Sequence, residues 1–350
     1  MSNILFLSLF YEFSIIFVVM ILDVARHKFS EGILILALSA LVAMVFAFMH
    51  PVEPVVEYVI RDNIAPFCQY IEDFANAHFV LSSLLVPLLF VWAVLRLSRA
   101  TVRFPLYPSA TMAAIALCSL SFVAILPIQS VLYAVVVILV AAEGVARLLG
   151  CFGPNIRPSR LFSSMLAFGL LPLLDSSLVV VAIFVPLLLI VVRQTLREAV
   201  IAIIGVSVPS FVYCYVVWCF GGSFLEAFAN LYANVFTGSI APLVVYLTLP
   251  RLIMLGVLLF MQLSSTVFYL STRMSLAIGA RSVWTILHIA LLLFVVSFVL
   301  LPSTSVASIL VVVVFALPML PLYFLNTTTL LSVLSFFVLF VASFTTLFIG

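Results

Sequence analysis

Apolar runs of about twenty residues, the length a helix needs to cross a bilayer, recur from one end of this chain to the other. The first reads ILFLSLFYEFSIIFVVMIL, and those that follow are as rich in Leu, Val, Ile and Phe. The chain is 67% hydrophobic and 7% charged, where a soluble domain carries about 25% charged residues. A water-soluble core of this size could not hide so much apolar surface, so the expected solvent is lipid. A β-barrel does not fit, because its strands alternate apolar and polar residues over about ten positions. The expected fold is therefore an all-α membrane protein. It is one integral membrane domain over 1–350, a polytopic bundle of about twelve (11–13) transmembrane helices. No basic residues precede the first run and no small-residue cleavage site follows it, so it reads as a retained span rather than a signal peptide.

The predicted spans are 4–22, 32–49, 79–96, 109–126, 130–147, 160–174, 177–192, 199–219, 240–270, 283–301, 304–323 and 328–348. The sixth is short, and Pro250-Arg251 interrupts the ninth. Twelve of the fourteen basic residues then fall in or beside alternate loops. Arg26 and Lys28 follow the first span, Arg96, Arg99 and Arg103 the third, and Arg147, Arg157 and Arg160 the fifth. Arg193 and Arg197 follow the seventh, and Arg273 and Arg281 the ninth. Loops rich in Lys and Arg stay on the cytoplasmic side, so this face is expected to be cytoplasmic and the N-terminus outside. Arg61 and Arg251 are the exceptions.

Five of the twelve acidic residues crowd into HPVEPVVEYVIRDNIAPFCQYIED, from His50 to Asp73. This stretch belongs to an outer loop, 50–78, with Glu53 and Glu57 close to the membrane. Before Pro66, Glu57 and Arg61 form an i,i+4 pair. After it, Phe67, Tyr70, Ile71 and Phe74 make one apolar stripe opposite Gln69, Glu72, Asp73 and Asn76, the pattern of a helix lying in the membrane interface. A second interfacial helix is expected in 221–239. Ser223 and Glu226 have capping-box spacing, Phe224, Phe228, Leu231 and Val235 form the stripe, and Gly238 can end the helix.

Ionisable residues inside a membrane are costly, and each is a functional candidate. Glu12 lies within the first span. Glu143 stands four residues before Arg147, and a local ion pair accounts for it. Asp175 sits at the tip of a hairpin in LLPLLDSS, either capping the next helix or lining a cavity. Arg251 follows a proline that breaks the helical ladder, and its planar fork is suited to gripping a phosphate. Alternatively it pairs with an acid or reaches the interface. His288 reads as an interior histidine whose ring nitrogens are satisfied. The five cysteines form no CxxC and suggest neither a disulfide framework nor a metal site. No phosphate-binding loop, HExxH, GxSxG or dinucleotide fingerprint is present, so no cofactor is expected. The net charge of +2 gives no reason to expect nucleic acid.

The segment LYPSATMAAIALCSLSFVAILPIQSVLYAVVVILVAAEGVARLLG, with RLFSSMLAFGLLPLLDSSLVVVAIFVPLLLIVVRQTLREAVIAIIGVSVPSF after it, resembles a family of uncharacterised multi-pass inner-membrane proteins of Bacteroidota. The pattern is a run of small residues, a short hairpin, then Arg197-Glu198, Gly205 and Pro209, over about residues 105 to 220. More distantly it is similar to the membrane core of the C-type (GT-C) glycosyltransferases. That resemblance implies a bacterial inner-membrane protein of envelope biogenesis, using a sugar carried on polyprenyl phosphate at the outer face. Glu53 or Glu57 would be the catalytic base, and Arg61 or Arg251 would hold the leaving phosphate. The paired acidic motif of many such enzymes is absent, as is the basic residue after the short hairpin helix, where this chain has Leu174-Asp175. A catalytically degenerate relative, a transporter or flippase, and a non-catalytic scaffold subunit are the competing readings.

Overall fold

The structure, a computed structural model, describes residues 29–49, 65–104, 106–107, 113–127, 130–152, 158–193, 196–233, 235, 241–300, 304–327 and 329–349. Glu12, Glu53, Glu57 and Arg61 lie outside these residues, as do the first predicted span and the first half of the acidic stretch. The elements are helical. In chain order they are α1 (Phe29–Met49), α2 (Pro66–Ala77), α3 (Phe79–Arg103), α4 (Ala113–Ile125), α5 (Val131–Leu149), α6 (Pro158–Leu174), α7 (Val179–Arg193) and α8 (Leu196–Cys219). There follow α9 (Phe224–Ala233), α10 (Ala241–Tyr246), α11 (Leu249–Thr272), α12 (Ile278–Leu300), α13 (Val306–Ala316), α14 (Pro321–Asn326) and α15 (Thr329–Ile349).

Among the described residues six stretches are long and apolar enough to cross a bilayer: Phe79–Arg103, Val131–Phe152, Leu196–Cys219, Leu249–Thr272, Ile278–Phe298 and Val306–Asn326. Five shorter apolar helices accompany them. Among the described residues, then, long and shorter apolar helices stand side by side. The short ones need not match the bilayer alone where neighbours enclose them. Helix α4 makes the point, since all thirteen of its residues are buried. A helix apolar on every side belongs inside a bundle.

The core is built on α4, α5 and α13. Val131–Phe152 and Val306–Asn326 are more than 70% buried, at 72% and 78%, whereas Leu196–Cys219 is 28% buried. The outer helices leave Leu88, Trp92, Phe211 and Leu263 exposed, a surface that water would oppose and lipid accepts. Close approach of α6 and α8 depends on two glycines. A methyl group at Gly169 would land on the Val206 carbonyl, 2.9 Å from its carbon and 3.0 Å from Cα. One at Gly205 would stand 2.7 Å from Met165 Cβ. Small residues of this kind let membrane helices pack backbone to backbone. On the other side of α6, Ser164 donates a 2.8 Å hydrogen bond to the Gly144 carbonyl of α5.

The ninth predicted span does break, at Leu247–Thr248, between α10 and α11. Pro250 lies in the first turn of α11, where its missing N–H would have had no partner anyway. The interruption thus precedes the proline by two residues. The eleventh predicted span is likewise divided, α13 giving way to a turn before Pro321 starts α14. Helix α2 starts at Pro66, where the sequence divides. Helix α9 begins after Ser223, whose hydroxyl accepts from the Glu226 N–H at 3.4 Å. Gly221, at φ 89°, supplies the left-handed residue that ends α8, a conformation that disfavours a side chain.

Candidate functional site

Helices α5 and α6 are antiparallel neighbours, and each end of the pair carries a polar centre. The first gathers at the start of α5 and the end of α6. Asp175 follows the last residue of α6 and is buried. Its Oδ1 accepts from the Ser177 N–H at 2.8 Å and from the Ser177 hydroxyl at 2.6 Å. Its Oδ2 accepts from the Tyr133 hydroxyl at 3.3 Å. The Ser177 hydroxyl also lies 2.8 Å from that of Ser305 and 3.0 Å from that of Ser308, tying this turn to the start of α13. Asp175 is therefore the cap that the hairpin motif suggested, and also the centre of a buried hydroxyl network that joins three helices.

Helix α2 lies against α3, α5 and α6. Its buried residues are Cys68 and Ala75, and Glu72 lies on the same side. Tyr70 is exposed and Phe74 is at the edge of exposure. The apolar stripe expected from the sequence is thus split: Phe67 and Ile71 pack against the core, Phe67 edge-on to Tyr213, while Tyr70 and Phe74 are turned outward. The Cys68 thiol donates weakly to Glu72 Oε1 at 3.9 Å. Burial pushes this thiol well above its usual range, and the charges of Glu72 and Asp175 add to the shift. Glu72 is also raised, first by burial and then by Asp73.

A carboxyl whose folded pKa lies above its unfolded value opposes folding when ionised, and that penalty is relieved as the pH falls through the folded pKa. Glu72→Gln is therefore expected to raise thermal stability modestly near neutral pH. The advantage should shrink as the pH becomes acidic. Melting curves in detergent across that range check this, and an advantage that grows with acidity would contradict the assignment.

The second centre lies at the other end. Arg96, Arg99 and Arg103 from α3, Arg147 from α5 and Arg160 from α6 line one pocket of about 720 Å³. Glu143 pairs with Arg147 as the sequence indicated, Arg147 Nε donating to Oε1 at 2.8 Å. It also takes two bonds from Arg96, at 2.5 and 3.1 Å. Tyr133 and Arg147 lie fourteen residues apart on α5, so the two centres are separated by about 21 Å at 1.5 Å per residue.

Arg251 is placed near the end of α4 that lies away from the arginines. It is buried, donating from Nη1 to the Tyr246 carbonyl at 2.9 Å and from Nη2 to the Leu126 carbonyl at 3.4 Å. Its guanidinium carbon stands 4.3 Å over the Tyr246 ring. It thus caps the ends of α10 and α4, where a cation suits the helix dipoles. Its Nε has no hydrogen-bond partner among the described residues. His288 contacts the Trp284 carbonyl through Nδ1 at 2.7 Å and the Thr266 hydroxyl through Nε2 at 2.9 Å. A carbonyl only accepts, so in the neutral ring Nδ1 carries the proton, and the single proton of the Thr266 hydroxyl is divided between Nε2 and the Gln262 carbonyl, 2.8 Å away. This is the satisfied interior histidine expected.

Tyr133, Ser177 and Cys68 were not singled out as site residues in the sequence, and Glu72 was named only as part of the polar face of its helix. The one signal for the last two is that Cys68, Glu72 and Ala75 share a helix face. No family model, curated protein or solved structure matches the chain. The helices and their apolar composition make it an integral membrane protein.

Proposed function

We propose that this is a polytopic protein of the bacterial inner membrane, with about twelve crossings, the N-terminus outside and the arginine end cytoplasmic. In this reading it acts in envelope biogenesis as a GT-C-like lipid-linked sugar transferase, or as a catalytically degenerate relative. The observation that carries the reading is the docking of α2 over the Asp175 centre. A headgroup-level helix is anchored through Phe67, Cys68 and Ile71, with Glu72 on the same flank beside a buried carboxylate. That is the setting the resemblance leads one to expect for an outer loop that handles a polyprenyl-phosphate carrier. Glu53 or Glu57, upstream in the same loop, supplies the base. Arg61, or Arg251 through its remaining N–H groups, holds the phosphate.

A scaffold subunit is the second reading. It is favoured by the way Asp175 and Arg251 spend hydrogen bonds on the protein's own backbone. Cells carrying Glu53→Gln, Glu57→Gln or Arg61→Gln in place of the parent distinguish the two when their lipid-linked glycans are profiled by mass spectrometry. The transferase reading expects at least a ten-fold rise in unconsumed polyprenyl-phosphate sugar in one of them, about 1.4 kcal/mol of lost transition-state binding. Unchanged pools in all three, at normal protein levels, would leave the scaffold.

A further inference from the structure

The arginine pocket has no part in the function proposed above, and it lies at the opposite end of the α5–α6 pair. We infer that it binds the phosphate of an anionic membrane lipid. Five guanidinium groups converge on it, in a chain with fourteen basic residues in all. Glu143 is the one carboxylate ion-paired with them among the described residues, and it engages Arg96 and Arg147. Its two bonds from Arg96 and two from Arg147 fix those forks in place. The side chains of Arg99, Arg103 and Arg160 make no hydrogen bond or ion pair among the described residues. Five like charges around one cavity repel one another, and an anion relieves that repulsion. All five are arginine, whose planar fork matches phosphate oxygens bidentately. Marking the cytoplasmic side requires only basic residues near span ends. It does not require three helices to deliver them to one cavity.

The neighbouring surface identifies the source of the phosphate. Arg96 continues a row at four-residue intervals on α3, formed by Leu84, Leu88 and Trp92. These three are 51%, 61% and 60% exposed, so they form an apolar ridge leading straight to the pocket. Arg99 and Arg103 extend the same face by i+3 and i+7 from Arg96. A lipid lying along α3 would set its tails on the ridge and its headgroup among the arginines. Basic pockets between transmembrane helices commonly serve this purpose. A soluble phosphate would have no use for the ridge.

The test uses the full-length protein in detergent, titrated with short-chain phosphatidylglycerol, with phosphatidylcholine of the same chain length and with inorganic phosphate. Thermal shift and native mass spectrometry report binding. Saturable binding of phosphatidylglycerol is expected, weakened by salt and at least ten-fold tighter than that of the other two probes. Arg99→Gln/Arg103→Gln should reduce the affinity at least ten-fold. Arg99→Lys/Arg103→Lys, which keeps the charge and removes the fork, should fall between and provides the reading if the glutamine variant does not fold. Inorganic phosphate binding as tightly as the lipid would overturn the lipid assignment. No saturable binding of phosphatidylglycerol, or binding unchanged in both variants, would overturn the site.

Discussion

Replacing Gly169 by leucine is expected to abolish the folded protein. The position has no room on the α8 side, where the first added carbon meets the Val206 carbonyl. Overpacking a core costs about 1–3 kcal/mol when side chains can shift to absorb it. Here the obstacle is main chain, so relief requires α6 and α8 to move apart. That movement would also open the contacts made by Gly205 with Met165. Against a total stability of about 5–15 kcal/mol, the loss is a large fraction. Fluorescence-detected size exclusion after solubilisation should show the monodisperse peak lost or greatly reduced. Gly256→Leu is the control. A carbon added there meets nothing within 4 Å, and leucine is the better helix former by up to about 1 kcal/mol. That variant should be as stable as the parent or slightly more so. Equal loss in both would show that the α6–α8 approach is not the cause.

Asp175→Ala is expected to lower stability by about 2–4 kcal/mol. It removes a cap worth about 1 kcal/mol and leaves buried donors unmet at about 1–3 kcal/mol each. The Ser177 N–H and the Tyr133 hydroxyl lose their carboxylate acceptor. The Tyr133 hydroxyl still has the Leu174 carbonyl at 3.3 Å, and the Ser177 hydroxyl still has Ser305 and Ser308. The cost therefore falls mainly on the Ser177 N–H, and the middle of the range is expected. Asp175→Asn keeps an amide oxygen for that N–H and should recover at least half of the loss. A reduced melting temperature for alanine, largely restored in asparagine, checks this. Equal loss in the two would assign the effect to the negative charge rather than to the cap.

Local signals in the sequence carried furthest. The breaks near Pro66 and Pro250, the Ser223 cap and the Glu143–Arg147 pair each depend on residues a few positions apart. What was hidden depends on distance along the chain. Arg96 reaches Glu143 across forty-seven positions, and Tyr133 reaches Asp175 across forty-two. Neither neighbour can be read from spacing. Nor could the docked flank of α2 be read, for a reason particular to lipid. In water an apolar stripe identifies the buried face, whereas here it is equally at home against acyl chains. The stripe is accordingly divided: Phe67 and Ile71 pack on the protein beside Cys68 and Glu72, while Tyr70 and Phe74 are left facing outward. The arginine pocket was half visible. Its members were assigned to one aqueous side, but nothing in their order showed that three helices would bring them around a single cavity.

The complete enclosure of α4 has a consequence for biogenesis. Every described residue of α4 is enclosed by protein, so the folded bundle leaves no face of it to lipid. It gains its surroundings only when the helices on either side of it in the chain are already in place. Maturation of this protein should accordingly pass through a stage in which the outer helices are inserted and the middle is still open.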